Sequence, residues 1–254
     1  MATQIDLQGK KALVTGGSRG IGQAIARRLA ESGADVAINY VRHRTPAEET
    51  AQAIEASGSK ALVIRANVKE PDHIDRMFDT IQSEFGTLDI LISNAASGVL
   101  KPALELTLKH WNHTMEINAA ALLPLVQHAR PLMGNRGGKI VAVSSLGAIR
   151  AIPNYTAVGS SKAALESLVR HLALELAPHN INVNAVSAGV VDTDALKHFP
   201  NRMELLTESE RKTPAGRLTT PDDVADAALF LCSNFAKMIH GQTLIVDGGY
   251  SILG

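Results

Sequence analysis

The sequence has very little cysteine, and this limits its chemistry. Cys232 is the single cysteine among 254 residues, and it lies in the apolar run 227–232. One cysteine cannot form an internal disulfide, so a reducing compartment is expected, and we place the protein in the cytoplasm. A buried, inert thiol is a more ordinary role for such a residue than a nucleophile.

Neither sign of charge is in excess, and long apolar runs are missing. Lys+Arg and Asp+Glu both total 25, which gives no indication of nucleic-acid binding or of adhesion to an anionic membrane. No apolar run reaches the about 18 residues of a membrane span, and the first residues lack the apolar core of a secretion signal. Linkers and repeats are also missing, so we expect one domain over residues 1–254.

Short β-branched runs alternate with longer helical patterns, which is typical of βαβ units. The pattern predicts an α/β fold of the doubly wound Rossmann type, with a seven-stranded parallel sheet and helices on both faces. The predicted strands are 11–15, 35–39, 61–65, 88–93, 139–144, 181–187 and 243–246. The predicted helices are 21–32, 47–57, 71–85, 108–133, 155–177 and 221–233.

One stretch interrupts this alternation. Residues 192–217 carry several charges, no strand, and short helical patterns near 194–197 and 201–212. An insertion after a late strand is where a substrate lid would lie. A surface excursion without function is the alternative.

The first strand leads into a glycine-rich turn, Thr15–Gly22, and then into a helix. Glycines permit a tight turn and the close approach of a pyrophosphate, which the helix N-terminus attracts. The spacing is Gly-x3-Gly-x-Gly. Between a first strand and a first helix, this motif predicts a dinucleotide site.

The end of the second strand indicates which dinucleotide binds. An acid usually meets the free ribose 2′-hydroxyl of NAD there, but residues 39–44 read Asn-Tyr-Val-Arg-His-Arg. Arg42, Arg44 and Arg19 of the glycine turn could instead bind a 2′-phosphate through their guanidinium forks. We therefore predict NADPH; solvated surface arginines are the alternative.

Over nearly its whole length the sequence resembles the short-chain dehydrogenases/reductases. Thr15–Gly22 matches the glycine turn of that family, and Asn94-Ala95 matches its segment after the fourth strand, with Ser93 and Ala96 as departures. Asn118, Ser145 and Lys162 stand at the positions of the family's asparagine, serine and lysine. The cofactor-binding residues that the resemblance implies are Gly16, Ser18, Arg19, Gly20, Ile21, Arg42, Asn67, Val68, Asn94, Ala95, Tyr155, Lys162, Gly189, Val191 and Thr193.

The family tyrosine is displaced. Most members read Tyr-x3-Lys, but the residue at that position is Val158, and the nearest tyrosine is Tyr155, which gives Tyr-x6-Lys. Either the enzyme is inactive or the acid has moved. Seven residues are nearly two helical turns, so Tyr155 and Lys162 would still share a helix face.

A displaced acid suits a different substrate. Three residues correspond to ~4.5 Å along a helix axis. In a ketone, the carbon that takes hydride is bonded to the oxygen that takes the proton. In an α,β-unsaturated thioester, hydride reaches C3 while charge develops on the C1 oxygen, so the donor must lie farther out.

Tyr-x6-Lys is the spacing of the enoyl-acyl-carrier-protein reductases of this family. Residues 146–155 and 187–189 also resemble them. The glycine turn in combination with Tyr-x6-Lys is similar to the type III, NADPH-dependent bacterial group, which residues 192–202 also resemble. The resemblance implies reduction of a trans-2-enoyl thioester in fatty-acid elongation. The substrate would be carried on acyl carrier protein or CoA, in a homotetramer formed through the helices at 108–133 and 155–177.

The resemblance also implies the catalytic roles. Tyr155 would hydrogen-bond or protonate the enolate oxygen, with its pKa lowered by the nearby ammonium of Lys162, which would also hold the nicotinamide ribose. Ser145 would polarise a carbonyl or only line the pocket. For Asn118 a catalytic role and a structural role in its helix are both open.

Two further sets of side chains invite hypotheses. His110 and His113 lie three residues apart, but no third ligand is evident, so we predict no metal site. Lys197, Arg202, Arg211 and Lys212 could guide an acidic carrier protein to the lid; a solvated helix of mixed charge is the alternative.

Two other functions remain open on the sequence. The first is a 3-oxoacyl or other ketone reductase of the same family. The second is an inactive dinucleotide-binding sensor, which Val158 suggests and the retained Lys162, Ser145 and Asn118 oppose.

Overall fold

The computed structural model describes residues 5–193 and 202–253, and seven parallel strands form one sheet in that part of the chain. Their order is β3-β2-β1-β4-β5-β6-β7. The strands are β1 (Lys11–Val14), β2 (Asp35–Tyr40), β3 (Ala61–Arg65), β4 (Ile90–Ser93), β5 (Gly138–Ser145), β6 (Ile181–Ala188) and β7 (Thr243–Val246). All seven predicted strands are confirmed, with small differences at their ends.

Helices connect the strands and cover both faces of the sheet. They are α1 (Gly20–Glu31), α2 (Arg44–Ala56), α3 (Pro71–Phe85), α4 (Leu108–Met115), α5 (Leu122–Met133), α6 (Thr156–Leu176), α7 (Arg202–Lys212) and α8 (Pro221–Cys232). No helix of the described residues is both long and apolar enough to cross a membrane.

The predicted helix at 108–133 is confirmed, but it is not α-helical throughout. A π-helical turn, Glu116–Ala120, separates α4 from α5. Its buried Asn118 bonds outside the helix through both amide atoms, as described below. π-Turns inside helices are frequent at functional sites, and this one turns a polar side chain toward the interior.

Each face of the sheet has its own apolar core. On one face Ile25, Leu29 and Ile38 pack with residues of α2 and α8. On the other, Leu91 packs with residues of α3, α5 and α6, including Leu165. Strands covered on both faces are apolar along their whole length, which is why the sequence located them well.

The strand order reverses beside β1, and this positions the site. β1 pairs with β2 on one side and with β4 on the other, so the chain leaves their carboxyl ends in opposite directions. Ligands of open parallel sheets bind in the crevice that such a reversal creates. The Thr15 hydroxyl spans the crevice floor, because it donates to the Ile92 carbonyl (3.2 Å) and accepts from the Asn94 amide (3.0 Å).

Only part of the predicted lid, residues 192–217, belongs to the described residues. An isolated bridge pairs Val191 with Thr219 at its base, and the helical pattern at 201–212 is confirmed as α7. The guanidinium of Arg202 binds both carboxylate oxygens of Asp192, at 2.7 and 2.9 Å. The predicted helical pattern at 194–197 lies outside the described residues.

Candidate active site

The glycine turn packs closely against the loop after β4. The side-chain nitrogen of Asn94 donates to the carbonyls of Thr15 (2.9 Å) and Gly16 (3.0 Å). A Cβ on Gly22 would lie 2.3 Å from that nitrogen, and one on Gly16 would lie 3.0 Å from the α-carbon of Ala95. Side chains at these positions would separate the turn from the loop.

The N-terminus of α1 suits an anion. Arg19 is the N-cap residue, no side chain caps the helix, and its first turn contains no acid. The first amides of a helix have no partner within the helix and attract negative charge. Together with the close glycines, this end of the helix fits the pyrophosphate of a dinucleotide.

The other predicted cofactor residues lie along the same carboxyl edge of the sheet. Thr193 lies beside the turn, with its methyl 3.5 Å from where a Cβ of Gly20 would be. The remaining ones follow the turn, β3, β4 and β6: Ser18, Ile21, Asn67, Val68, Ala95, Gly189 and Val191. These residues therefore lie along one edge of the sheet.

Sequence reasoning missed the role of Asn39, at the end of β2. Its side chain is buried, accepts from the Gly16 amide (3.2 Å) and donates to the Ala66 carbonyl (2.7 Å). The side chain thus joins the glycine turn to the end of β3. An amide engaged at both ends does not replace the acid that would bind a ribose hydroxyl.

A cavity of about 480 Å³ opens beside the end of β2, lined by Tyr40, Arg42, Arg44, Val63 and Arg65. Arg44 is paired with Glu48 (2.7 Å), and Arg65 donates to the Val41 carbonyl (3.2 Å). Within the described residues Arg42 has neither an ion pair nor a hydrogen bond. Arg19, predicted to face the same spot, is not part of this lining.

Tyr155 stands at the start of α6 rather than inside it. The helix begins at Thr156 with Tyr155 as N-cap, so the predicted start was one residue early; the Tyr155 carbonyl still accepts from the Gly159 amide (2.7 Å). The phenol oxygen is 3.3 Å from the hydroxyl of Ser145. A Cβ on Gly147 would lie 2.5 Å from the ring, so the ring needs a glycine there.

The ionisation of Tyr155 differs from the prediction. We expected a nearby ammonium to lower its pKa. Burial instead raises the pKa of Tyr155, and the hydrogen bond with Ser145 opposes that effect. The reason is that the phenol is desolvated, while the ammonium of Lys162 is directed at the strand.

Lys162 is buried and bound to β5. Its ammonium donates to the Val143 carbonyl at 2.7 Å. Burial lowers the pKa of Lys162 to about 8, and the carboxylate of Glu166 acts in the opposite direction. The next residue of β5, Ser144, donates to Glu166 at 2.6 Å. Val143, Ser144 and Ser145 at the end of β5 therefore contact Lys162, Glu166 and Tyr155, respectively.

The position of the family tyrosine is filled. Val158 is buried, and a Cβ on Gly98 would lie 2.2 Å from one of its methyl groups. Gly98 therefore makes room for the valine in the loop after β4. Apart from the presence of a glycine, no pattern in the sequence indicates this contact.

Asn118 links the loop after β4 to α6. Its side-chain oxygen accepts from the Ser97 amide (2.8 Å), and its nitrogen donates to the Ser161 hydroxyl (3.0 Å). Ser161 in turn donates to the Val158 carbonyl (2.6 Å). All of these contacts are made within the fold, as expected for a structural role of Asn118.

The histidines have local partners. His110 completes the capping box of α4, and Nε2 of His113 lies 3.1 Å from the Ser97 hydroxyl. Within the described ranges no group of three or more histidine, cysteine or acidic side chains could hold a metal.

The cations predicted to guide a carrier protein are mostly paired within the chain. Lys212 and Arg211 lie 3.0 and 3.9 Å from Glu208, and Arg202 binds Asp192. Lys197 lies outside the described residues. Such pairing within the chain is typical of a solvated helix of mixed charge, the alternative to a docking role.

Taken together, the crevice, the anion-binding turn and the cluster Ser145–Tyr155–Lys162 define an α/β oxidoreductase built to hold a dinucleotide beside a phenol. A family model described as "Enoyl-(Acyl carrier protein) reductase" matches residues 16–251. The chain belongs to the short-chain dehydrogenase/reductase family, in the enoyl reductase-like part that this model describes. The family binds nicotinamide dinucleotides.

Individual relatives are similar over almost the whole chain. The 1-cyclohexenylcarbonyl-CoA reductase of Streptomyces collinus is 40% identical over 95% of this chain and 86% of its own length. An NADH enoyl-[acyl-carrier-protein] reductase of Synechocystis is 34% identical, covering 98% and 99%. A 7α-hydroxysteroid dehydrogenase, solved with NADH and 7-oxo glycochenodeoxycholic acid, has a TM-score of 0.91 and 36% identity, covering 96% and 95%.

Proposed function

We propose that the protein is an NADPH-dependent reductase of trans-2-enoyl thioesters. The observation that carries the proposal is the site of the phenol. Val158 fills the family's usual tyrosine position against Gly98, and Tyr155 presents its hydroxyl beside Ser145 from the start of α6. Two similar proteins with enoyl substrates in their names support this assignment.

The chain's own residues have distinct tasks in that reaction. When bound, NADPH supplies hydride to C3 of the enoyl group. Tyr155 donates a hydrogen bond, then a proton, to the oxygen on which charge develops, and its raised pKa keeps the phenol protonated at neutral pH. Lys162 would hold the nicotinamide ribose hydroxyls, and Ser145 orients the phenol.

The preference for NADPH rests on Arg42. This guanidinium faces a cavity without a carboxylate in its lining, and it has no partner in the described residues. A 2′-phosphate would give it a charge-assisted, bidentate partner. NADH appears in the names of two relatives, so the proposal depends on this chain's own second-strand residues.

A ketone reductase is the second candidate. The hydroxyls of Ser145 and Tyr155 lie 3.3 Å apart, and such a pair could also polarise a substrate carbonyl. The 7α-hydroxysteroid dehydrogenase, with its 7-oxo ligand, has the same fold.

The substrate carrier and the assembly belong to the same proposal. We infer that the thioester is carried on acyl carrier protein or CoA, and that the protein acts in the cytoplasm as a homotetramer. Exposed leucines on α4 and α6 support an interface: Leu108 is 80% exposed and Leu174 77%.

The test follows NADPH oxidation with crotonyl thioester and, separately, with acetoacetyl thioester. We expect turnover of the enoyl substrate, and turnover of the β-keto substrate alone would assign the second function. Tyr155→Phe should abolish turnover and leave NADPH affinity unchanged. Tight NADPH binding without turnover of either substrate would indicate an inactive sensor.

A further inference from the structure

A second buried ionisable side chain lies on α6, one turn after Lys162. Glu166 is 8% exposed, and its Oε1 accepts the Ser144 hydroxyl at 2.6 Å. Residues four apart on a helix are neighbours on its surface. The carboxylate of Glu166 and the ammonium of Lys162 therefore share the face of α6 that packs on β5.

The buried ammonium of Lys162 needs a compensating charge in this place. Moving an ammonium or a carboxylate from water into a protein interior is costly unless an opposite charge and hydrogen bonds compensate. Lys162 has one hydrogen bond to a neutral carbonyl, that of Val143. Burial lowers the pKa of Lys162, and the negative charge of Glu166 opposes that effect.

Among residues 5–193 and 202–253, the other elements packed against α6 offer no equivalent charge. Their ionisable residues are Lys139 of β5, Glu116 of the π-turn, His179 of the turn after α6, and Lys109, His110 and His113 of α4. Glu116 is paired with Lys69 at 2.8 Å, and Lys139 donates to Asn182 at 2.7 Å. Burial and Glu166 are the influences that set the pKa of Lys162.

We propose that Glu166 is a positioning residue, held by Ser144, that keeps Lys162 charged and directed at the end of β5. The proposal rests on the proposed function only in giving Lys162 a role toward the cofactor ribose. Ser144 and Glu166 thereby become part of the site, one layer below Ser145 and Tyr155.

The first test measures NADPH affinity against pH by cofactor fluorescence, without substrate. A carboxylate nearby raises the pKa of an ammonium, so its removal lowers that pKa. In Glu166→Gln, which keeps the acceptor oxygen but not the charge, we expect the loss of affinity at alkaline pH to begin about one pH unit lower. Ser144→Ala should shift it in the same direction by less.

The matched control is Glu175→Gln, an exposed glutamate near the end of the same helix, which should leave the profile unchanged. A uniform loss of affinity in Glu166→Gln with an unshifted midpoint would overturn the proposal, because a merely structural residue behaves in that way. Failure of the enoyl assignment would not affect this measurement.

The second test is a double-mutant cycle on the thermal stability of the protein without cofactor. Glu166→Gln should lower Tm in the wild type, because it leaves the ammonium of Lys162 buried without its counter-charge. In a Lys162→Met background the same substitution should be neutral or raise Tm, since position 166 would then have no ammonium nearby to compensate. An equal decrease in both backgrounds would contradict the proposed coupling.

Discussion

A methyl group of Val158 lies against the α-carbon of Gly98, so closely that a Cβ at position 98 would be 2.2 Å from it. The contact joins the loop after β4, which faces the cofactor crevice, to the first turns of α6, which carry Tyr155 and Lys162. A glycine and a valine thus determine how near these two parts of the site approach each other.

Gly98→Ala should therefore push the loop and α6 apart. Overpacking in a close contact typically costs about 1–3 kcal/mol, and we expect lower Tm and a lower kcat with crotonyl thioester. Adding Val158→Ala removes the clashing methyl groups, so the double variant should recover much of both losses. Strictly additive effects in a double-mutant cycle would show that the two residues do not constrain each other.

Asn154, immediately before Tyr155, has a left-handed backbone with φ 61°, and its carbonyl accepts the Lys101 amide at 3.1 Å. Alanine disfavours this conformation by roughly 1–2 kcal/mol, whereas glycine adopts it freely. Asn154→Ala should lower kcat as the backbone before Tyr155 relaxes, and Asn154→Gly should retain most activity.

The chain provides a control for that strain. Asn180 has φ 57° before β6, at the opposite edge of the sheet. Asn180→Ala should reduce Tm about as much as Asn154→Ala while kcat stays at the wild-type value. Equal kcat losses in the two alanine variants would show that strain acts through overall stability.

Arg42→Ala should separate the two nicotinamide cofactors. Loss of a charge-assisted hydrogen bond costs about 1.5–3 kcal/mol, so we expect the Kd for NADPH to rise by roughly 10–100-fold while that for NADH changes little. Arg44→Ala is the comparison, since that side chain is already paired with Glu48, and its effect should be smaller. A parallel rise for both cofactors would remove the argument for a 2′-phosphate site.

Cys232 should be inert in the folded protein. The side chain is 3% exposed, and burial raises the pKa of its thiol to about 12, with Lys139 opposing. The thiolate, which is the reactive form, is therefore scarce at pH 8. A chromogenic disulfide reagent should react with one thiol per chain only after denaturant is added; rapid reaction of the native protein would disprove this.

The sequence predicted the strands and the cofactor edge because both depend on local patterns. Residues 90–92 and 140–143 are apolar without interruption, as a doubly covered parallel sheet requires, and the glycine turn has its own spacing. Tyr155 and Lys162 could be paired because a helix lies between them. Each of these signals is contained in a short stretch of chain.

Contacts between distant segments could not be predicted in the same way. Gly98 against Val158, Gly147 against the Tyr155 ring, and Asn39 between Gly16 and Ala66 depend on how separate elements meet. A glycine in a loop or an asparagine at a strand end has several ordinary explanations. The raised pKa of Tyr155 was missed for the same reason, since burial is a property of the assembled fold.

The three contacts between the end of β5 and the α6 segment have a consequence for the order in which the site folds. The bonds from Val143, Ser144 and Ser145 to Lys162, Glu166 and Tyr155 all lie within residues 143–166, so closing them requires only a short loop. The dinucleotide crevice needs segments from residue 16 to residue 193 in place. A refolding chain should therefore form the contacts among Ser145, Tyr155, Lys162 and Glu166 before it can bind cofactor, and pulse-labelled amide exchange should find residues 143–166 protected before cofactor binding is regained.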